Sequence, residues 1–449
     1  MDKILKKIIP KPVYHFLMAL TGNIAYRLPG YKMTVIGVTG TDGKSTCVEM
    51  ITEVLKSSGE KVGMISTVDI EVAGERRENA IGRTTIGRWG TQKLLRAMVQ
   101  KGCKYAVIEA SSEGIAGKRI WGIPFDGAVF TNLSPEHLNY HKTMENYRNM
   151  KGKLFKKLKS PFNFKKTKRV SVVYADDKES DYFLSFEADE KYTFGIDSRL
   201  RSSSLSDELT SESNDGNDNL VLAENIILKT DRTQYEVVYK GKKYSISTKA
   251  IGKFNVLNEL TGFCVGLGYG LDMDKVIKVL ENFEGTRGRA EKINEGQDFQ
   301  VIIDYAVTPD ALKTLYTSLR EITDGKLISV FGATGDRDKE KRPKMGKVAS
   351  ELTDIVLLTD DETYTEGSQQ IIDQVYAGVP EKLRSKVEIV PDRLDAIKKA
   401  LSKAQKGDTV AITGIGHQKS RSMGGDKIKW DERKIVSDLL KNMESKNDE

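Results

Sequence analysis

The sequence predicts an α/β fold in two successive domains, each built on a mostly parallel sheet. Three observations predict it. Apolar β-branched runs alternate with segments of helical periodicity from residue 33 to about 288. The alternation restarts at about 289, where Val301-Ile302-Ile303, Leu327-Ile328-Ser329-Val330, Ile355-Val356-Leu357-Leu358 and Thr409-Val410-Ala411-Ile412 read as strands between helices, a second domain of Rossmann-like character. Between the apolar run that ends at Val38 and a helix carrying Val48, Ile51, Val54 and Leu55 on one face lies a glycine-rich loop.

That loop reads Gly37-Val38-Thr39-Gly40-Thr41-Asp42-Gly43-Lys44-Ser45-Thr46. Glycines let backbone N–H groups turn inward around a phosphate, and the following helix presents its positive end. Lys44 neutralises phosphate charge, and Ser45 or Thr46 can ligate Mg²⁺. Gly40, Thr41, Asp42 and Gly43 complete the cradle. Val38 stands where the general phosphate-loop pattern has its first glycine, yet glycine, lysine and hydroxyl after a strand favour nucleotide binding over an ordinary turn. The first of the two domains, 33–288, therefore reads as a P-loop ATPase-type central domain, and 289–449 as the Rossmann-like C-terminal domain.

Composition sets the limits. With 449 residues and a net charge of +7, the chain has room for two or three soluble domains. Three widely spaced cysteines, Cys47, Cys103 and Cys264, fit neither a disulfide framework nor a structural zinc site and point to a reducing compartment, the cytoplasm. The stretch 151–169 holds nine basic residues and no acidic one. No nucleic-acid module accompanies it, so anionic substrates or a solvated loop explain it better than nucleic acid does.

Residues 1–32 form an N-terminal basic and apolar helical segment. Lys3, Lys6, Lys7 and Lys11 precede an apolar stretch from Val13 to Leu20, too short to span a bilayer and without a clear cleavage site. A helix of this kind can touch a membrane surface weakly through residues 1–20; packing against its own domain is the preferred reading. Residues 202–219, rich in Ser, Asp, Glu, Asn and Gly, read as a disordered surface loop.

Chemistry gathers after the strands. Glu109 follows Tyr105-Ala106-Val107-Ile108, and Ala128-Val129-Phe130 leads into Thr131-Asn132-Leu133-Ser134-Pro135-Glu136-His137-Leu138-Asn139-Tyr140-His141. Carboxylate and histidine beyond strands of the phosphate-loop domain suggest a Mg²⁺ site beside ATP.

These residues resemble the Mur ligases, and most closely the MurE type that adds an amino acid to a muramoyl dipeptide. The resemblance is carried by 37–46, Arg83-Thr84-Thr85, Glu109-Ala110-Ser111-Ser112, 130–141 and 144–155. It continues in Gly252-Lys253-Phe254-Asn255-Val256-Leu257-Asn258, Gly288-Arg289-Ala290-Glu291, Asp304-Tyr305-Ala306, Gly335-Asp336-Arg337-Asp338-Lys339 with Lys341-Arg342-Pro343, and Gly414-Ile415-Gly416-His417.

The resemblance implies an ATP-dependent amide ligase. An acceptor carboxylate takes the γ-phosphate of ATP to give an acyl phosphate, which the amine of a free amino acid then displaces. It implies Lys44, Glu109, His137 and Lys151 as catalytic. Two Mg²⁺ are implied, one served by Ser45 and Glu109 and one by Glu109 and His137, with Lys151 carbamylated by CO₂ so that its new carboxylate helps hold the second; nearby Lys153 competes for that assignment. Asn255 and Asn258 would lie near adenine, Arg289 near the phosphates and Asp304 near the ribose, with closure of the two domains completing the site. Thr84 and Thr85 would contact the muramoyl-peptide acceptor. Asp361, Glu362, Tyr364, Gly414 and Gln418 occupy the stretches that meet the incoming amino acid.

Departures accompany the match. Members of this type carry a UDP-binding domain of about one hundred residues before the phosphate loop, whereas about thirty-six precede Gly37 here, so that domain is expected to be absent. Glu113 and Val307 stand where the family has histidines. In the amino-acid site, arginine and glutamate of the diaminopimelate-adding type have become Tyr364 and Gln418, which predicts an amino acid without a distal carboxylate, lysine among them. Two alternatives stay open: a ligase of the same superfamily with a folylpolyglutamate or amino-acid-polymer acceptor, and a non-catalytic nucleotide-binding protein.

Overall fold

The structure is a computed structural model that describes residues 10–81, 84–196 and 219–447. Residues 1–9, Arg83 and all of the expected 202–219 loop except Asn219 lie outside the described residues. The chain divides into two compact units. Unit 1 runs to Ile227 and takes in Gln234–Lys249 and Asn255–Phe283; unit 2 comprises Glu284–Glu449 together with the short segments Leu228–Thr233 and Ala250–Phe254.

Unit 1 is organised on eleven strands: β1 Thr34–Thr39, β2 Val62–Ile65, β3 Asp69–Val72, β4 Glu75–Glu78, β5 Tyr105–Glu109, β6 Gly127–Phe130, β7 Val170–Tyr174, β8 Glu190–Ile196, β9 Leu220–Leu228, β10 Thr233–Tyr239 and β11 Lys242–Thr248. Their order is β11-β10-β9-β8-β7-β6-β1-β5-β2-β3-β4. β1 lies parallel between β5 and β6, pairing Val38 with both Glu109 and Val129. The chain leaves β1 through the helix Lys44–Lys56 and returns at β2, beyond β5. This skip opens a crevice at the carboxyl ends of β1, β5 and β6, where open α/β sheets bind ligands. Strands β3 and β4 pair antiparallel at one edge, short and charged enough to end the sheet.

Val48, Ile51, Val54 and Leu55 of the helix Lys44–Lys56 are fully buried, in one core with Val256, Leu260 and Phe263 of the helix Lys253–Gly268. Beneath the amino ends of the strands sits Asp126. It accepts from Val35 N (2.8 Å) and Arg169 Nη1 (2.9 Å) and pairs with Lys165. Several members of the basic run are thus structural: Lys151, Lys165 and Arg169 are enclosed, while Lys159 and Lys168 pair with Asp189 and Glu190. All three cysteines are buried in unit 1 without disulfides, and burial pushes the Cys47 thiol up to about 12.

The N-terminal helix, Lys11–Ala25, packs on its own domain. Tyr14, Ala19, Gly22 and Asn23 face inward, Gly22 giving room to Trp89, and Asn23 Nδ2 donates to Trp121 O at 3.0 Å. No described helix is long and apolar enough to cross a membrane.

Unit 2 holds a six-stranded sheet in the order β12-β13-β17-β14-β15-β16. These are β12 Glu291–Ile293, β13 Gln300–Asp304, β14 Leu327–Phe331, β15 Ile355–Leu358, β16 Val387–Ile389 and β17 Thr409–Thr413. All neighbours are parallel except β12 against β13. The register pairs Asp304 with Thr413, so Tyr305 and Gly414 leave adjacent strand ends. Arg393, fully buried, makes a two-pronged pair with Glu432 at 2.7 and 2.9 Å and fixes the sheet end by donating to Thr413 O at 2.8 Å.

Candidate functional site

In unit 1 the loop after β1 is shaped by two glycines with positive φ, Gly40 (+155°) and Gly43 (+78°). A Cβ on Gly40 would stand 1.8 Å from Thr131 Oγ1, and one on Gly43 would stand 2.5 Å from Asn258 Oδ1. Only glycine fits either place. The segment after β6 clamps the loop: Asn132 O accepts from Thr41 N and Asn132 Oδ1 from Asp42 N, both at 2.9 Å, while Thr131 Oγ1 donates to Asp42 O at 2.7 Å. The helix that follows starts at Lys44 without a side-chain cap, so its first N–H groups are available to an anion.

Ser45 Oγ donates to Glu109 Oε2 at 3.0 Å, and Thr67 N donates to the same oxygen at 2.7 Å. Glu109 is buried at the end of β5. Lys44 Nζ donates to Thr41 O at 2.5 Å, folding over its own loop. Asn258 accepts from Cys47 Sγ at 3.3 Å and donates to Asn255 Oδ1 at 3.2 Å, which places both asparagines behind Gly43.

Lys151 is 1 % exposed on the helix Met144–Phe155, whereas Lys153 projects into solvent. Its Nζ donates to Gly40 O at 2.5 Å and lies 4.2 Å from the centre of the Tyr147 ring. Burial, and then the Lys44 charge, hold the Lys151 amine well below the usual lysine range. Tyr147, one turn earlier, also places its hydroxyl 3.3 Å from Thr41 Oγ1. The sequence reading missed Tyr147; its i,i+4 spacing from Lys151 was the available signal.

His137 has φ +56° and is partly exposed, with Nδ1 3.7 Å from Glu113 and Nε2 3.6 Å from Glu136. Its neighbour His141 is buried, its Nε2 2.9 Å from Ser112 Oγ; burial and the His137 and Lys151 charges lower its pKa. Thr85 Oγ1 is 3.1 Å from Ser111 Oγ, and its carbonyl accepts from Arg119 Nη1 at 2.9 Å; Thr84 is partly exposed beside it. Ser45, Glu109, Lys44, Lys151, Asn255 and Asn258 thus gather around one loop. Among the described residues no three His, Cys, Asp or Glu side chains form a ready-made cation cluster.

The donor set nevertheless fits Mg²⁺ with ATP. A hydroxyl, a carboxylate and a lysine with a depressed pKa lie around the loop that leads into an uncapped helix start, and the His137 ring stands 6.3 Å, centroid to centroid, from the Tyr147 ring that borders that lysine. Lys151 is a buried amine with no carboxylate partner among the described residues.

In unit 2, Asp304 closes β13 and accepts from Ala290 N at 2.6 Å; burial raises its pKa, opposed by Arg289. The Arg289 guanidinium lies 4.6 Å from the Tyr305 ring centre. His417 packs on the same ring, 5.3 Å between centroids, and burial with Arg289 and Arg287 lowers its pKa to about 3. Gln418 Nε2 is 3.4 Å from the Tyr305 hydroxyl.

After β15 the chain runs through Asp360, Asp361 and Glu362. Arg421, 4 % exposed, donates through Nη2 to Asp361 O at 2.7 Å and pairs with Asp360. Asp361 Oδ1 accepts from Glu362 N at 2.7 Å, while Oδ2 is buried with no hydrogen-bond partner among the described residues. Burial raises the Asp361 carboxyl to about 6. Gly414 (φ +114°) borders it, and a Cβ there would meet Asp361 Oδ2 at 2.1 Å. Tyr364, at φ +50°, lies under Arg337, 5.2 Å from guanidinium carbon to ring centre. The Asp360–Arg421 pair escaped the sequence reading because sixty residues separate the partners.

The profile of the Mur ligase middle domain matches residues 38–266, and that of the Mur ligase glutamate ligase domain matches 288–416. The UDP-N-acetylmuramoyl-L-alanyl-D-glutamate–2,6-diaminopimelate ligase 1 of Clostridium acetobutylicum is 35 % identical over 428 residues, 95 % of this chain and 82 % of the relative. The corresponding ligase of Caldanaerobacter subterraneus is 36 % identical over 423 residues, 94 % and 81 %. A solved ligase with the same diaminopimelate name superimposes with TM-score 0.64 at 26 % identity, over 95 % of this chain and 83 % of that one. Folylpolyglutamate synthase of Mycobacterium tuberculosis shares the fold, with TM-score 0.69 at 15 % identity, over 95 % and 94 %. With both domain profiles matched in order and relatives this similar over nearly its whole length, the chain belongs to the Mur ligase family of ATP-dependent amide ligases.

Proposed function

We propose that this chain adds a free amino acid to the carboxylate of a muramoyl-peptide precursor of peptidoglycan, through an acyl phosphate formed from ATP. The observation that carries the reading is the convergence on one glycine loop of Lys44, the Ser45–Glu109 pair and a buried Lys151. Two anions must meet in the first step, the acceptor carboxylate and the γ-phosphate. Lys44 and the uncapped helix start lower that repulsion and leave the phosphorus electrophilic. The carboxylate oxygen forms the new O–P bond as the bond to ADP breaks; the amine then attacks the acyl carbon and phosphate leaves.

Ser45, Glu109, His137 and carbamylated Lys151 would hold Mg²⁺, which neutralises phosphate charge when bound. Burial, with the Lys44 charge second, lowers the Lys151 pKa and so favours the neutral amine, the form that makes an N–C bond to CO₂ with loss of one proton. The neutral side chain then becomes −1, where an ordinary protonated lysine would carry +1. Thr84 and Thr85 are assigned to the acceptor, Asn255 and Asn258 to adenine, and Arg289 and Asp304 to the rest of the nucleotide.

For the incoming amino acid, the relatives are named for 2,6-diaminopimelate, whose second carboxylate demands a guanidinium. We assign a different preference here. Arg421 is already engaged by Asp360 and the Asp361 carbonyl, and the unpartnered Asp361 Oδ2 offers an acceptor. An amino acid with a distal ammonium and no distal carboxylate, such as lysine, suits that balance of charge, with Glu362, Tyr364, Gly414 and Gln418 around it.

The test is a mass spectrum of product from ATP, Mg²⁺, UDP-N-acetylmuramoyl-L-alanyl-D-glutamate and mixed amino acids. Acceptor-dependent ADP and a product heavier by one amino acid less water are expected. ADP release only with a folate or an amino-acid polymer would assign another acceptor.

A further inference from the structure

We propose that unit 1 carries a membrane-docking surface at the amino ends of its central strands, opposite the phosphate loop, built by Phe162 and Phe164 with the cations around them, and that its partner is an anionic lipid surface. The inference does not rest on the assignment of the substrate.

Phe162 and Phe164 are each 76 % exposed, the most exposed of the large apolar side chains among the described residues. Their loop is nevertheless tightly held. Asn163, between them, donates through Nδ2 to Phe125 O at 2.9 Å and accepts from Arg169 Nη2 at 3.1 Å. Lys165 Nζ reaches Gly30 O at 3.1 Å and Met33 O at 2.5 Å as well as Asp126, and Arg169 Nη2 donates to Lys165 O at 2.7 Å. The Tyr31 hydroxyl bonds to the carbonyl of Phe162 itself. A loop that anchored could have turned its rings inward; this one holds two phenyl groups in water. Such exposure is unfavourable for an isolated domain and gains its return only when something apolar covers the rings.

Charge around the rings identifies the cover. Leu28, 45 % exposed, is one turn before Tyr31, and exposed Arg27 and Lys32 flank it. Lys156 and Lys166 are exposed on the loop's own segment and form no ion pair among the described residues. A surface that is apolar at the tip and cationic at the rim matches the headgroup–acyl boundary of an anionic bilayer, where rings insert and lysines meet phosphates. Lys159 and Lys168 of the same segment are matched by Asp189 and Glu190, so the charge left over at the rim, on Arg27, Lys32, Lys156 and Lys166, is cationic. Position agrees: the loop lies at the amino end of β6, and the phosphate loop at the carboxyl end of parallel β1, so docking leaves the ATP side open.

Co-sedimentation of the full chain with phosphatidylcholine vesicles, with and without about 30 % phosphatidylglycerol, tests this. Binding to the anionic vesicles that weakens with salt is expected. Phe162→Ala with Phe164→Ala should reduce it by about tenfold or more, as should Lys156→Glu with Lys166→Glu, both with unchanged ATP turnover. Phe16→Ala with Leu17→Ala, on the N-terminal helix, separates the other apolar surface. Equal binding to both vesicle types, binding lost only in the helix variant, or a concentration-dependent dimer abolished by the phenylalanine variant without any vesicle binding would each overturn the proposal.

Discussion

Lys151 Nζ stands 2.5 Å from the carbonyl oxygen of Gly40, so the buried lysine is fastened directly to the phosphate loop. Changing the lysine therefore changes both the charge and the shape of that loop, and the two effects can be separated by rescue. Lys151→Ala should lower turnover by at least about 100-fold. Formate or acetate should restore part of it, because a small carboxylate supplies the missing oxygen ligand. Lys153→Ala, on the exposed side, should stay within about twofold of the parent. Rigorous removal of dissolved CO₂ should slow the parent enzyme and leave Lys151→Ala unaffected. Failure of every carboxylate to rescue, with no CO₂ dependence, would leave Lys151 a structural clamp only.

Lys44→Ala should cut acceptor-dependent ADP release by about 10²–10³-fold while the thermal unfolding midpoint changes little. The half-buried side chain donates to Thr41 O in its own loop and belongs to neither hydrophobic core of unit 1, so its loss removes charge more than packing. Retained turnover would displace the nucleotide from this loop.

A competition among equal concentrations of diaminopimelate, lysine, ornithine and alanine, read by product mass, checks the amino-acid assignment. Lysine or ornithine product should exceed diaminopimelate product by on the order of 100-fold or more. A dominant diaminopimelate product would mean that Arg421 leaves Asp360 when substrate enters.

Glu259 gives a pH signature that belongs to the fold alone. Enclosed with Tyr235 OH and Thr248 Oγ1, each 2.6 Å away, its carboxyl is pushed up by burial to about 8. A carboxyl that holds its proton more tightly folded than unfolded contributes stability at low pH and loses it as pH rises from the usual glutamate range through about 8. The melting temperature should fall across that window, and Glu259→Gln should flatten the fall, matching the parent near pH 5 and exceeding it at pH 9. Parallel curves would show the group to be ionised throughout.

Asp126→Ala should destabilise unit 1 by about 3–5 kcal/mol, since it strands Lys165 and Arg169 inside the domain. Denaturant unfolding measures it. The same variant would release the Phe162–Phe164 loop, so its vesicle binding should weaken together with its stability.

Periodicity made most of the sheet legible, because strands buried on both faces are written as continuous apolar runs; β1, β5, β6, β13, β14, β15 and β17 all lie where such runs stand. The hairpin edge β2 to β4 was not legible, since Glu75-Arg76-Arg77-Glu78 is a strand only by pairing with β3. Of the site, the loop and the carboxylates after strands could be read locally. What holds them could not: Thr131 against Gly40, Asn258 against Gly43 and Arg421 against Asp360 are contacts between distant segments, and a single sequence does not record which residues meet. The basic run showed the opposite failure. Its nine cations look like one surface in sequence, yet the fold sends Lys151 to the loop and Lys165 and Arg169 to Asp126.

Cys47, Cys103 and Cys264 are all shut inside unit 1, and unit 2 has none. To a thiol reagent in solution the folded chain is therefore inert, and it becomes reactive only as unit 1 opens. The rate at which a chromogenic disulfide is consumed is then a clock for the unfolding of that unit alone, in the intact chain, while unit 2 stays silent. Run with and without nucleotide, the clock would report how firmly ATP locks the glycine loop, with no label and no mutation introduced.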